Sequence, residues 1–331
     1  MSGFPYDDRP DAALWKRAIQ MVDATEIDPW APVRFTIDTR ERVASAGSCF
    51  ARHIAANLKA HGFNYFQTEE GAEYSANFGN VYTTLQLWQL FERAYGRFSP
   101  QEKHWRRGDR YVDPLRPRVF PDGFVSPEAV HEAERLHLEA VRRLFEALDV
   151  FVFTLGLTEG FVSTIDGTAF PACPGKDFGV FDAARYAFRN LTVAENVEYL
   201  DAFVSALLHV NPSARILLTV SPVPLVATME NRSVLQSTVY SKSVLRVCAD
   251  ELRRRHSCVD YFWSYEIVTA TYNNDRYFEP DRRSVTETGV AHVMRSFFRH
   301  FANLEIERPQ VDDFDPCDED VLDAIIKKAS L

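Results

Sequence analysis

Four short apolar runs, spaced by long amphipathic stretches, constrain the fold of this chain more than any other feature of it. They are Arg42-Val43-Ala44-Ser45-Ala46, Val150-Phe151-Val152-Phe153-Thr154-Leu155, Arg215-Ile216-Leu217-Leu218-Thr219-Val220 and Cys258-Val259-Asp260-Tyr261-Phe262. Three of the four are continuously apolar rather than alternating, as in strands whose two faces are both covered by helices. Helical stretches lie between them. Residues 126–148 precede the second run, with Ser126 placed to cap and Pro127 suited to a first turn. Residues 192–210 precede the third, where Thr192 and Glu195 have capping-box spacing. Residues 233–256 precede the fourth, and 285–301 close the series with Val290, Val293, Phe297 and Phe301 largely on one side. This alternation predicts an α/β fold, a three-layer αβα arrangement around a parallel sheet. Ligands of such sheets bind outside the carboxyl ends of the strands.

With 331 residues, 46% of them apolar, the chain can bury a large core. The expected organisation is an N-terminal extension over 1–40, a domain over 41–303 with an insertion at about 65–125, and an acidic tail over 304–331 with a short helix at 318–329. A formal net charge of -10 argues against general binding to nucleic acid or anionic membranes. The five cysteines, Cys49, Cys173, Cys248, Cys258 and Cys317, have no CxxC pair and no metal-like spacing, so they read as free thiols in a reducing compartment. Residues 1–11 lack the apolar core of a signal peptide, and no apolar run nears the ~18 residues of a membrane span. The expectation is a soluble cytoplasmic protein without a metal site.

The polar motifs fall at the predicted strand ends. Gly47-Ser48-Cys49 follows the first strand, Gly156-Leu157-Thr158-Glu159 the second and Ser221-Pro222-Val223-Pro224 the third, while 277–284 lies just before the closing helix. Glycine permits a tight turn off a strand, and a helix N-terminus favours the thiolate form of a cysteine. Cys49 is therefore a candidate nucleophile, set against the alternative of a small buried cysteine. Ser48 is either an oxyanion donor or the nucleophile itself. Glu159 suits an acid, a base or an ion pair. Lys242 is either an anchor for phosphate or carboxylate or a helix-surface lysine. Trp105 and Arg107, in a basic aromatic stretch, suit sugar stacking, or else belong to a loop pinned by salt bridges.

Gly47-Ser48-Cys49-Phe50-Ala51 spells the name motif of the GSCFA family, relatives of the SGNH (GDSL-like) hydrolases. Together with Phe78-Gly79-Asn80-Val81-Tyr82, Thr154-Leu155-Gly156-Leu157-Thr158-Glu159, Thr219-Val220-Ser221-Pro222-Val223-Pro224 and Tyr240-Ser241-Lys242-Ser243, it makes the chain resemble that family over roughly residues 40 to 300. The resemblance implies a flavodoxin-like, SGNH-type sheet and acyl-ester chemistry on carbohydrates, either removal or transfer. SGNH enzymes carry a nucleophile in Gly-Asp-Ser, oxyanion donors from a Gly and from the Asn of Gly-x-Asn, and an Asp-x-x-His pair before the last helix. Aligned on the glycines, Cys49 takes the nucleophile position, Gly79 or Asn80 the second block, and Gly156 with Thr158 the third. Asp281 begins the fourth block, with Ser284 where the His is expected. The base is then His292 in the closing helix, His53 one turn after Cys49, or neither. Asp281 would orient an imidazole or cap that helix, and Ser284 with Glu287 has the spacing of a capping box.

The expected activity is that of an O-acetyl esterase or O-acyltransferase, acting on a small-molecule or saccharide substrate through an acyl-enzyme on Cys49 or Ser48. No cofactor is expected to bind tightly, and a cytoplasmic transferase would draw on a donor such as acetyl-CoA. The alternative is a saccharide-binding or scaffold protein that keeps the pocket without the Asp-x-x-His base.

Overall fold

The computed structural model describes residues 3–175 and 178–306. In chain order its elements are β1 (Val43–Gly47), α1 (Ala51–Ala60), α2 (Thr84–Ala94), β2 (Trp105–Arg107), β3 (Arg110–Val112), α3 (Pro127–Ala147), β4 (Val150–Leu155), β5 (Glu159–Ser163), β6 (Ala169–Phe170), β7 (Tyr186–Asn190), α4 (Val193–Val210), β8 (Arg215–Val220), α5 (Val234–Arg255), β9 (Val259–Phe262), α6 (Ser264–Thr269) and α7 (Glu287–Phe301). The four apolar runs form one parallel sheet in the order β1-β4-β8-β9. Their side chains are buried on both faces because helices cover both. α2, α3, α4 and α5 pack together in one layer, while α1, α6 and α7 pack in the other. The predicted three-layer α/β arrangement is what forms.

Register brings the carboxyl ends of the strands level. Gly47 pairs with Thr154, Thr154 with Thr219, and Thr219 with Phe262. On the outer edge of β1, Tyr65 makes a single parallel bridge to Val43, framed by Val43 N–H to Asn64 O (3.0 Å) and Phe66 N–H to Val43 O (2.8 Å). The chain that follows β1 thus returns along one side of it, and β4 lies on the other. Strand order reverses at that point, and in open α/β sheets ligands bind outside the carboxyl ends of the strands at such a reversal.

The core is aromatic on both faces of the sheet. Phe145, Phe151 and Phe203 meet on one side, and Phe262, Phe297 and Phe301 on the other. Between β4 and α4 the chain forms an antiparallel sheet, β6-β5-β7, which the strand and helix patterning did not predict. Its strands are too short and too mixed in polarity to stand out. β2 and β3 form a separate two-stranded sheet.

Ser126 and Thr192 cap α3 and α4 as predicted, Thr192 with the full capping box. Ser284 does not cap α7. The cap is Thr286, whose hydroxyl accepts from Gly289 N–H at 3.2 Å. Among the described residues no helix is long and apolar enough to cross a membrane. The helix expected over 318–329, and Cys317, lie outside the described residues.

Candidate active site

Gly47 sets the turn. Its φ is +142°, and an added Cβ would lie 2.5 Å from Thr154 O, so only glycine lets β1 come this close to β4. Ser48 N–H then donates to Thr154 O (3.2 Å), while the Ser48 and Cys49 carbonyls accept from Ala51 N–H (2.9 Å) and Arg52 N–H (3.1 Å) to start α1. Ser48 is 3% exposed, and its Oγ is buried without a hydrogen-bond partner among the described residues, as is Thr154 Oγ1. Cys49 is only partly buried and is in no disulfide.

Arg52, one turn along α1, is 8% exposed. Its Nε lies 3.0 Å from Glu73 Oε1 and donates to Tyr74 Oη at 3.4 Å. Burial by itself would lower its pKa, but Tyr74, Glu73 and Cys49 outweigh that and raise it. Reciprocally, the buried guanidinium favours negative charge on Cys49, as does the helix N-terminus. Burial holds the Tyr74 phenol well above its ordinary value against the pull of Arg52, so Tyr74 stays protonated. Its Oη lies 2.8 Å from Asn80 Oδ1 and 3.3 Å from Ser48 O, with one proton to donate between them. Gly79, at φ +67°, turns the chain so that Val81 N–H reaches Gly47 O (2.9 Å), which seats Asn80 beside the turn. Cys248 makes a contrast. Burial pushes that thiol up to about 12, as expected of a structural cysteine.

The loop after β4 forms the opposite wall. Gly156 is tightly packed, since an added Cβ would lie 3.1 Å from Tyr82 O and 3.2 Å from Ser48 Cβ. Its N–H and that of Leu157 both donate to Tyr82 O (3.1 and 3.0 Å), so Gly156 does not offer the expected oxyanion donor. Thr158 does not either. Its N–H goes to Ser241 Oγ (3.0 Å) and its hydroxyl to Asn190 Oδ1 (2.7 Å). Lys242 is not a surface lysine. It is 1% exposed, and its Nζ donates to Gly156 O at 2.7 Å. Glu159 opens β5 and accepts from Thr228 Oγ1 (2.9 Å); burial raises its pKa, partly offset by Thr228 and Ser237. One stretch of α5 thus supplies Ser237, Ser241 and Lys242 to fasten residues 156–159.

The remaining expectations meet different fates. Both nitrogens of His292 are committed, Nδ1 to Tyr277 Oη (2.6 Å) and Nε2 to Ile27 O (2.8 Å). A carbonyl can only accept, so Nε2 carries the proton and the Nδ1 lone pair faces the phenol. Burial lowers the His292 pKa, and the residue is a neutral tie between α7 and the N-terminal segment rather than a base. Asp281 is exposed and holds its own turn, accepting from Arg283 N–H (2.8 Å), Ser284 N–H (2.9 Å) and Ser284 Oγ (2.6 Å); it orients no imidazole. His53 lies in the first turn of α1, its ring 5.5 Å from that of Phe50. Trp105 is 2% exposed and packs among Phe170, Phe178 and Tyr186, so it is core and not a stacking platform. Arg107 is exposed and donates to Pro121 O (2.6 Å), bracing its own loop.

Arg52, Glu73 and Tyr74 are the site residues that sequence reasoning missed. Arg52 had a signal in its spacing of three from Cys49, which shares a helix face; Tyr74 had none. Among the described residues no group of three or more His, Cys, Asp or Glu could hold a metal ion. The family model of the GSCFA family matches residues 42–297. No curated protein and no solved structure matches the chain.

Proposed function

Because the chain belongs to the GSCFA family, we propose that it carries out acyl-ester chemistry on a carbohydrate through an acyl thioester on Cys49. The observation that carries this reading is a part-exposed Cys49 at the start of α1, one turn before a buried Arg52 that is held by Glu73 and Tyr74. A thiolate poised in that way does not need the His292 base. The sheet is read as flavodoxin-like of SGNH type, with the bridge at Tyr65 standing for the strand on the far side of β1. The carbohydrate ester and the choice between hydrolysis and transfer follow from the family resemblance. Free cysteines suit a cytoplasmic setting.

In the proposed sequence the Cys49 thiolate adds to the ester carbonyl, forming the C–S bond as the carbonyl electron pair moves onto oxygen. The Asn80 side-chain amide, beside the turn, donates to that oxyanion. Collapse breaks the C–O bond, and the departing sugar oxygen takes a proton from His53. Water, or an acceptor hydroxyl, then attacks the thioester, returns a proton to His53 and frees the thiolate. Water gives an esterase. With an acyl donor such as acetyl-CoA in the first half, the bond broken is its thioester C–S bond, and CoA leaves as the thiol with the proton from His53. A sugar hydroxyl then takes the acyl group in the second half, which gives a transferase.

Incubation with p-nitrophenyl acetate followed by peptide mass mapping tests the reading. Acetylated Cys49 is expected, lost in Cys49→Ala and kept in Ser48→Ala. Acetyl on Ser48 instead moves the nucleophile by one residue. Arg52→Met should shift the pH profile of Cys49 alkylation by iodoacetamide upward by about 1 unit or more, because a cation that favours the thiolate is gone. The commitment of His292 and Asp281 to structural bonds favours a second reading, a saccharide-binding or scaffold protein. That reading stands if neither Cys49 nor Ser48 is acylated.

A further inference from the structure

The small antiparallel sheet β6-β5-β7 grows directly out of the wall of the Cys49 site. Gly156, packed against Ser48, and Glu159, the first residue of β5, are joined by at most about 11 Å of chain. Residues opposite each other on antiparallel strands share a face. Val162, Ala169 and Ala187 therefore point one way, onto Leu85 of α2 and Leu191. Phe161, Phe170 and Phe188 point the other way, away from α2.

Trp105 closes over the Phe170 end of this row, and the rest of it is open. Phe161 and Phe188 are half-buried, and Phe181, in the loop before β7, is 45% exposed. The three rings follow one another, Phe181 edge-on to Phe161 at 5.9 Å and Phe161 edge-on to Phe188 at 6.0 Å. Among the described residues, Phe181 and Phe188 join none of the buried clusters. Single exposed hydrophobics need no explanation, whereas adjoining rings with a polar rim mark a binding surface. The rim lies two residues along the same face. Glu159 pairs there with Asn190, whose Nδ2 donates to Glu230 Oε1 at 2.8 Å. Arg232 lies 3.8 Å from Glu230, and these two side chains are 30% and 34% exposed. Arg232 donates through Nε to Ser237 Oγ (3.0 Å). The outer edge of its guanidinium and Glu230 Oε2 make no hydrogen bond among the described residues.

Three rings are too little for a protein partner, which needs about 800 Å² on each side. An acyl chain laid along them would cover the charged rim without pairing it. A sugar ring suits both parts, with a C–H face for the aromatic rings and hydroxyls that donate and accept at the rim. We propose that this shelf is a saccharide subsite. A neutral sugar lies on Phe161 and Phe188 beside Phe181, one hydroxyl donating to Glu230 and another accepting from Arg232. The subsite rests on the carbohydrate part of the proposed function, and it holds one end of a substrate whose neighbouring sugar carries the ester to Cys49.

The test is binding, not activity. The full-length protein is titrated with maltotriose, cellotriose and triacetylchitotriose, and separately with hexanoate, and followed by saturation-transfer difference NMR. At least one trisaccharide should bind saturably, with saturation reaching its ring C–H protons. Glu230→Gln and Phe181→Ser should each weaken that binding by about tenfold, the scale of one charged hydrogen bond or one aromatic contact. Both positions are part-exposed, so the urea midpoint should stay at the wild-type value. No binding of any trisaccharide, affinity unchanged in both variants, or binding of hexanoate alone overturns the subsite. Saturable trisaccharide binding by a protein that forms no Cys49 adduct leaves the subsite standing and removes the acyl-ester reading; an adduct without trisaccharide binding removes the subsite alone.

Discussion

At φ +142°, with Thr154 O standing where a Cβ would go, Gly47 has no substitute among the other residues. Gly47→Ala should cost at least about 3 kcal/mol, from backbone strain and overpacking against a main chain that has nowhere to retreat. Urea denaturation followed by circular dichroism measures it, and a midpoint equal to wild type would refute the argument. The same contact explains why the two residues that follow behave differently. Ser48 is drawn under the β4 loop with its hydroxyl buried, whereas Cys49 is left part-exposed at the helix start. The strand–glycine–helix pattern that marks this turn spans a few adjacent residues, so it is legible in the chain. Tyr74 is not. It reaches Ser48 and Asn80 only because the loop it belongs to folds back across β1, and nothing near Tyr74 in sequence signals that return.

Helix α7 shows how an element's start is decided by its neighbours. Ser284 and Glu287 have capping-box spacing, yet Val285 is held extended by its bridge to Phe278, and Ser284 Oγ is taken by Asp281. The helix cannot begin until both constraints are past, and Thr286 becomes the cap. Thr286→Ala should therefore cost about 1 kcal/mol and speed hydrogen exchange at the Gly289 amide. Ser284→Ala should leave that amide unchanged, and faster exchange there in Ser284→Ala instead would restore the spacing-based assignment. α5 makes a related point. Its sequence marks Lys242 as one helical lysine among many polar residues, and only the packing of α5 beneath the β4 loop turns it into a buried donor to Gly156.

For the molecule as a whole, the buried neutral histidines tie stability to pH. His137 has a folded pKa of about 4, depressed from 6.5 by burial. The unfolded chain therefore binds a proton that the folded one refuses, and the stabilisation present above pH 6.5 is lost as pH falls towards 4. Between pH 7 and pH 5 this amounts to about 2 kcal/mol. His292, lowered in the same direction, adds to it. Urea midpoints at the two pH values should differ accordingly, with a smaller difference in His137→Gln; a difference unaffected by that change would assign the effect elsewhere. The sequence by itself determined the parallel sheet, its flanking helices and the gathering of polar motifs at the strand ends, because hydrophobic periodicity and glycine turns are short-range properties of a chain. It also singled out Cys49 by its place at a helix start. The tertiary structure alone decided the partners: Arg52 and Tyr74 for the turn, Tyr277 and Ile27 for His292, and Gly156 for Lys242. A hydrogen bond needs its two atoms within about 3 Å, and whether distant residues come that close depends on the summed packing of the whole chain, which no local pattern records.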